Sequence, residues 1–120
     1  MRRIPGITLA LALFSMAGTA RAISIISNHE LLPEGTTLQQ CLFRAQGAIA
    51  AAGLNALEPT NTAAWGQNAA GDELYSIYCV PDRASAVFMG STERNADAVD
   101  TMVTRLREAF RSGGRARPVK

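Results

Sequence analysis

The side chains of this chain that could carry out nucleophilic, redox or metal chemistry are two cysteines and a single histidine. Cys41 lies in the stretch QQCLFRA and Cys79 lies in SIYCVPD, far along the chain. A redox pair usually has the spacing C-x-x-C, a structural zinc site needs four ligands, and a cysteine nucleophile needs a positioned base, for which His29 is the only imidazole. We therefore predict a disulfide between Cys41 and Cys79. A thiol, redox or other small enzyme that uses Cys41 or Cys79 is the alternative.

The other polar residues have ordinary structural explanations. His29-Glu30 could contribute to a labile metal site, but one exposed histidine near a chain end is more often simply solvated. Asp72-Glu73 falls in a predicted hairpin loop, and Asp97 and Asp100 fall at a helix start, where acidic side chains are favoured. The glycines do not form a phosphate-binding loop. We assign no catalytic residue, no metal ligand and no cofactor.

The first 22 residues have the layout of a secretory signal peptide. Arg2 and Arg3 precede an apolar run at 7–14, and small residues follow, ending in Ala20-Arg21-Ala22. The run is shorter than the roughly 20 residues that a transmembrane helix needs. We predict cleavage after Ala22, with Ala20 as the alternative, and export to the periplasm or the medium without membrane association after cleavage. That compartment permits a disulfide.

The charge balance argues against a nucleic-acid partner. The whole chain has 12 basic and 10 acidic residues, and three arginines leave with the signal peptide, so 9 basic residues face 10 acidic ones afterwards. Three of those 9 lie in the last eight residues, GGRARPVK. A nucleic-acid-binding domain needs a basic face on its folded body, and none remains. We predict that residues 113–120 form a disordered basic tail.

Hydrophobic periodicity predicts two amphipathic helices. Over about 37–52, apolar residues recur at helical spacing, Thr36 and Gln39 have capping-box spacing, and Gly53 suits a helix end. A second helix begins near Asn95, which can cap it, and ends before Gly113. Its apolar stripe consists of Val99, Met102, Val103, Leu106 and Phe110.

Alternating and β-branched residues predict strands between the helices. The stretch ELYSIYCV is the clearest strand, and ASAVFMGS follows after a tight turn, so the two pair as an antiparallel hairpin. Residues 62–67 are a candidate third strand, and whether Ile23–Ser27 forms an edge strand stays open. We predict a two-layer α+β fold: helix, two- or three-stranded antiparallel sheet, helix, with both helices on one sheet face. The domain spans 36–112, after an N-terminal extension at 23–35.

One face of this predicted sheet has no obvious cover. If Cys79 points toward the helices, Leu74, Tyr78 and Val80 point the other way, because strand side chains alternate between faces. An apolar face of this kind needs the N-terminal ISII segment, another subunit or a ligand against it. Trp65 is a candidate anchor for a partner, although the interpretation that we prefer is that it covers the edge of the core.

A series of short motifs resembles small exported bacterial proteins of uncharacterised function. It consists of C-x3-A-x7-G-L from Cys41 to Leu54, then W-G, then Y-x-I-x-C from Tyr75 to Cys79, then an amphipathic C-terminal helix. In those proteins a helix cysteine and a strand cysteine recur on an α-β-β-β-α layout, over what would be residues 36–112 here. The resemblance implies a fold and a compartment and brings no activity.

Together these observations predict a small exported, non-catalytic domain stabilised by one disulfide. Its partner is an unidentified protein or small ligand on the apolar sheet face, and a homodimer is one form that such a contact can take.

Overall fold

A computed structural model describes residues 22–113, and this part of the chain contains two α-helices, a single 3-10 turn at Pro81–Arg83 and one sheet of five strands. In chain order the elements are β1 (Ser24–Leu31), α1 (Leu38–Ala51), β2 (Asn55–Ala56), β3 (Ala63–Gln67), β4 (Glu73–Val80), β5 (Ser85–Thr92) and α2 (Ala96–Arg111). The strand order is β1-β5-β4-β3-β2, and every neighbouring pair is antiparallel. The predicted α+β class with an antiparallel sheet is confirmed, whereas the predicted count of two or three strands is wrong.

The additional strands come from segments with weak local signals. β1 lies within residues 23–35, for which the sequence predicts an extension, and all eight of its residues pair with β5. Five of its eight residues are polar, and its side chains alternate between partly buried and exposed, so its pairing becomes evident only beside β5. β2 has two residues, Asn55 and Ala56, which is too short for any periodic pattern to indicate.

The N-cap of helix α1 lies one residue later than predicted. Thr37 is the N-cap: its hydroxyl accepts a hydrogen bond from the Gln40 amide at 3.1 Å, and the Gln40 side chain accepts one from the Thr37 amide at 2.9 Å. Thr36, the predicted cap, instead donates its hydroxyl to the Pro33 carbonyl at 2.6 Å. Gly53 follows the helix with φ of +82°, the left-handed conformation that glycine favours at a helix end.

Helix α2 is capped as predicted. The Asn95 side chain accepts a hydrogen bond from the Ala98 amide at 3.2 Å, and Gly113 follows the helix with φ of +80°. Four members of the predicted stripe are fully buried (Val99, Val103, Leu106 and Phe110) and Met102 packs partly buried beside them.

The core lies between the helices and one face of the sheet. In the register, Tyr75 is flanked by Gly66 on β3 and Gly90 on β5, so all three share this face. A Cβ atom at Gly66 would lie 2.8 Å from Ile49 of α1, and one at Gly90 would lie 2.6 Å from Val99 of α2. Both helices therefore approach the sheet from the same side, closely enough to require glycine beneath them.

A disulfide joins α1 to β4 within this core, as predicted. Cys41 and Cys79 are bonded with their Cα atoms 5.9 Å apart, and their exposed fractions are 0% and 4%. The bond links positions 38 residues apart in the chain. It therefore fixes the first helix to the central strand of the sheet.

Two predicted segments lie outside the described residues. These are the signal peptide, apart from Ala22, and the basic tail after Gly113. Of the described helices, neither combines the length and the apolarity required to cross a membrane.

Candidate functional site

The candidate site is the face of the sheet opposite the helices, which we call the outer face. Strand register assigns alternate residues to it. The three long strands contribute four residues each: Ile25, Ser27, His29 and Leu31 from β1; Leu74, Ser76, Tyr78 and Val80 from β4; Ser85, Val87, Met89 and Ser91 from β5. The short strands add Asn55 from β2 and Ala63, Trp65 and Gln67 from β3.

No aspartate, glutamate, lysine or arginine occupies an outward position of these five strands. His29, on the edge strand, and the Tyr78 phenol are the titratable groups of this face. Charged residues lie at the ends of the strands: Asp82 and Arg83 after β4 at one end, and Asp72 before β4 with Glu93 and Arg94 after β5 at the other. The outer face is thus an uncharged area with charges of both signs at its two ends.

Large apolar side chains on this face are open to solvent. Ile25 is 69% exposed, Leu31 is 73% exposed and Leu74 is 40% exposed. Val87 and Met89 are partly buried by their neighbours on the sheet. The described residues form their core on the other side, so the outer face is apolar without being part of that core.

The structure places all four predicted contact residues, Trp65, Leu74, Tyr78 and Val80, on the outer face. The Trp65 and Tyr78 rings meet edge to face, with centroids 5.8 Å apart, a favoured aromatic geometry. Trp65 is partly buried, and the small side chain of Ser76, its cross-strand neighbour, is 2% exposed. Trp65 therefore packs over the middle strands. Whether these residues bind a partner stays a prediction.

Sequence reasoning missed the contribution of the edge strand and of β5. Ile25 and Leu31 were not assigned to this face because β1 was not recognised as a full strand. Val87 and Met89 were overlooked because ASAVFMGS is apolar at almost every position, which hides the alternation between faces. The cross-strand pairing of Val87 with Tyr78 and of Met89 with Ser76 places them.

Two cavities lie beside the sheet, one at the margin of the outer face and one on the helix side. One, of about 400 Å³, is at the end of β4 and β5 and is lined by Ile23, Leu74, Ser91 and the Asp72–Arg94 ion pair, whose charged atoms are 3.6 Å apart. The other, of about 210 Å³, lies between α1 and the β2–β3 edge. Typical ligand pockets have volumes of 300–1,000 Å³. The first cavity is at the lower end of that range, and the second is below it.

A cluster of polar contacts ties the edge strand to α2 on the helix side. The Glu30 carboxylate accepts hydrogen bonds from Arg107 at 2.7 Å and from Arg111 at 2.8 Å, and Arg107 also donates to Asn28 at 3.2 Å. The bonds from Arg111 and Arg107 hold the pKa of Glu30 below its ordinary value. This cluster joins β1 to α2, so it holds in the sheet the strand from which Ile25 reaches the outer face.

The buried phenol of Tyr75 also has a structural partner. Its hydroxyl donates a 2.6 Å hydrogen bond to the Glu73 carboxylate. Burial, and then this hydrogen bond to a carboxylate, raise the pKa of Tyr75 well above its ordinary value. The phenol therefore stays protonated and acts as a fixed donor within the core.

The geometry does not support chemistry at the cysteines. Both sulfurs are buried in a disulfide on the helix side of the sheet, whereas His29 lies on the outer face, so the two cannot form a thiol–imidazole pair. Within residues 22–113, no three side chains of His, Cys, Asp or Glu are grouped to hold a metal ion.

Comparisons with known proteins give no match, so the interpretation of the site depends on its geometry. No family model matches the chain, and neither a curated protein nor a solved structure matches it.

Proposed function

We propose that this protein is a small exported, non-catalytic binding domain whose outer face contacts a macromolecular partner. The observation that carries the proposal is the uncharged outer face, on which Ile25, Leu31 and Leu74 stand exposed. Apolar patches of this kind on a soluble domain usually mark interaction sites. Both helices of the described residues pack on the opposite side of the sheet, so neither helix covers this face.

Export is supported by the signal-peptide layout of residues 1–22 and by the disulfide. A bond between Cys41 and Cys79 persists in an oxidising compartment such as the periplasm or the extracellular medium. We expect cell fractionation to recover the chain outside the cytoplasm, and the mass of the intact protein to report cleavage after Ala22 or Ala20. A cytoplasmic chain with free thiols would contradict this part of the proposal.

A macromolecule suits the outer face better than a small ligand. Small-molecule sites are concave and enclose most of their ligand, whereas the outer face is the broad surface of a sheet. The cavity at the margin of this face, of about 400 Å³, is at the lower end of ligand-pocket volumes and is lined by the Asp72–Arg94 ion pair.

Site-specific photo-crosslinking in living cells tests this function. A photo-reactive amino acid in place of Leu74 reports on the outer face, and the same amino acid in place of the exposed Thr104 reports on α2. We expect a crosslinked product from position 74 and none from position 104. If position 74 gives no product, or if both positions give the same products, the outer face is not a specific binding surface.

A further inference from the structure

We infer that the partner on the outer face is a second copy of this chain, bound face to face in a two-fold dimer. This inference rests on the proposed function, because it names the partner of the same surface. Three features support it: the position of the N-terminal ISII segment, the lack of charged residues on the outer face, and the area of that face.

Within residues 22–113, no segment covers the outer face. The sequence left three covers open: the ISII segment, another subunit or a ligand. The structure places Ile25 and Ile26 of that segment in β1, paired with Ser91 and Gly90 of β5. The segment therefore enlarges the outer face, since Ile25 adds an apolar side chain that is 69% exposed.

The absence of charged side chains from the outward positions of the five strands favours contact with a second copy. The cores of homodimer interfaces are more apolar and poorer in charged residues than the rest of a protein surface. A two-fold contact brings one patch against itself, so an uncharged patch avoids like-charge repulsion. Outside the patch, Asp82 and Arg83 at one end and Glu93 and Arg94 at the other provide both signs at each end. A partner that binds through its charge would instead need a charged surface on this protein, and the outer face does not provide one.

The area of the outer face is compatible with a weak dimer. β1, β4 and β5 have eight residues each and β3 has five; at about 3.3 Å per residue and about 4.8 Å between strands, these four strands have a footprint of about 460 Å². Two copies then bury about 900 Å², which falls among the weak and transient interfaces below about 1,200 Å². Two sheets can meet this way at about 10 Å separation with strands within about 30° of each other. The area suits a dimer that dissociates on dilution.

The test is the mass in solution of the chain as it accumulates in its exporting compartment. We expect sedimentation equilibrium to show a reversible monomer–dimer mixture between about 1 and 100 µM. Met89→Lys introduces a charge near the centre of the outer face while keeping an unbranched side chain. Because an unpaired charge is costly to bury, we expect it to weaken dimerisation at least about tenfold. Thr104→Lys adds the same charge on α2 and should leave dimerisation unchanged.

A second variant guards against misfolding. Leu74→Lys changes a residue that is already 40% exposed, and circular dichroism and urea unfolding verify the fold of each variant. A monomer at all concentrations, or a dimer that folded Met89→Lys and Leu74→Lys leave unaffected, overturns the inference. The second result would indicate a dimer through another surface, such as the free edge of β1.

The crosslinking experiment separates this inference from the proposed function. A product at position 74 with twice the mass of the chain supports both. A product of another mass, formed by a chain that is monomeric when pure, overturns the second copy and keeps a binding face. The absence of any product together with a monomeric chain overturns both.

Discussion

The ring of Tyr75 lies directly against the backbone of Gly90, its cross-strand partner in β5. A Cβ atom at position 90 would lie 2.8 and 2.9 Å from two ring carbons of Tyr75 and 2.6 Å from a methyl carbon of Val99. The tyrosine thus covers a strand glycine, and α2 rests on both. This close approach fixes the distance between the sheet and α2, and it produces a sharp prediction about packing.

Gly90→Ala should destabilise the fold by about 1–3 kcal/mol, because the added methyl would lie within 3.0 Å of Tyr75 and Val99 and would force one of them to shift. Urea unfolding measures the change. Ser91→Ala is the matched control, since Ser91 is adjacent on β5 but points to the outer face; it should change stability by less than about 0.5 kcal/mol. Equal effects of the two substitutions would show that the contact is not tight.

Removing the disulfide should lower stability by roughly 4 kcal/mol, through the constraint that it places on the unfolded chain. For a domain of this size that corresponds to a fall of about 15 °C or more in the thermal midpoint. We expect the fall for Cys79→Ser and for the double variant Cys41→Ala/Cys79→Ala under oxidising conditions. The thermal midpoint of the wild-type protein measured in the presence of reductant should approach the midpoints of the variants. An unchanged midpoint in Cys79→Ser would mean that the bond does not form.

Arg44 stabilises the end of α2 from its position on α1. Its guanidinium donates to the Phe110 carbonyl at 2.6 Å and lies 4.4 Å from the centre of the Phe110 ring. A cation is favourable at a helix C-terminus and over an aromatic face. Arg44→Met keeps the apolar stem and should cost about 1–2 kcal/mol in urea unfolding.

The matched control for Arg44 is Arg105→Met, which removes an exposed arginine of α2. It should alter stability by less than about 0.5 kcal/mol. Hydrogen exchange should also show faster opening of the last turn of α2 in Arg44→Met alone. If the two variants behave alike, the contact between Arg44 and α2 does not contribute to stability.

The Glu30 cluster predicts a pH dependence of stability. The pKa of Glu30 is lower in the folded chain than its ordinary value, because Arg111 and Arg107 bind the carboxylate. Its stabilisation is therefore present above the unfolded-state pKa and disappears as the pH falls through the folded-state pKa. Glu30→Gln should cost about 1 kcal/mol near pH 7 and progressively less below about pH 4.

Unfolding measured at several pH values tests this dependence, with Glu34→Gln as a control in an exposed turn. The control should show no comparable change with pH. A constant difference between wild type and Glu30→Gln down to about pH 2 would exclude a role for the Glu30 charge.

Local patterns in the sequence determined the helices, the central hairpin and the disulfide. The apolar stripe of α2, ending at Phe110, and the alternation of ELYSIYCV are periodic over enough residues to identify a helix and a strand. Cys41 and Cys79 could be paired by excluding other chemistry and from their positions on a helix and a strand. These features depend on near neighbours in the chain, and a single sequence contains that information.

Tertiary structure alone decided the extent of the sheet and the composition of its outer face. β1 has four consecutive polar residues at 27–30, and it becomes a strand because β5 pairs with it and α2 binds Glu30. Arg44 finds its carbonyl partner 66 residues away. The outer face gathers Ile25, Met89 and Trp65 from three strands. Contacts of this kind depend on which strands become neighbours, and periodicity within one segment does not encode that order.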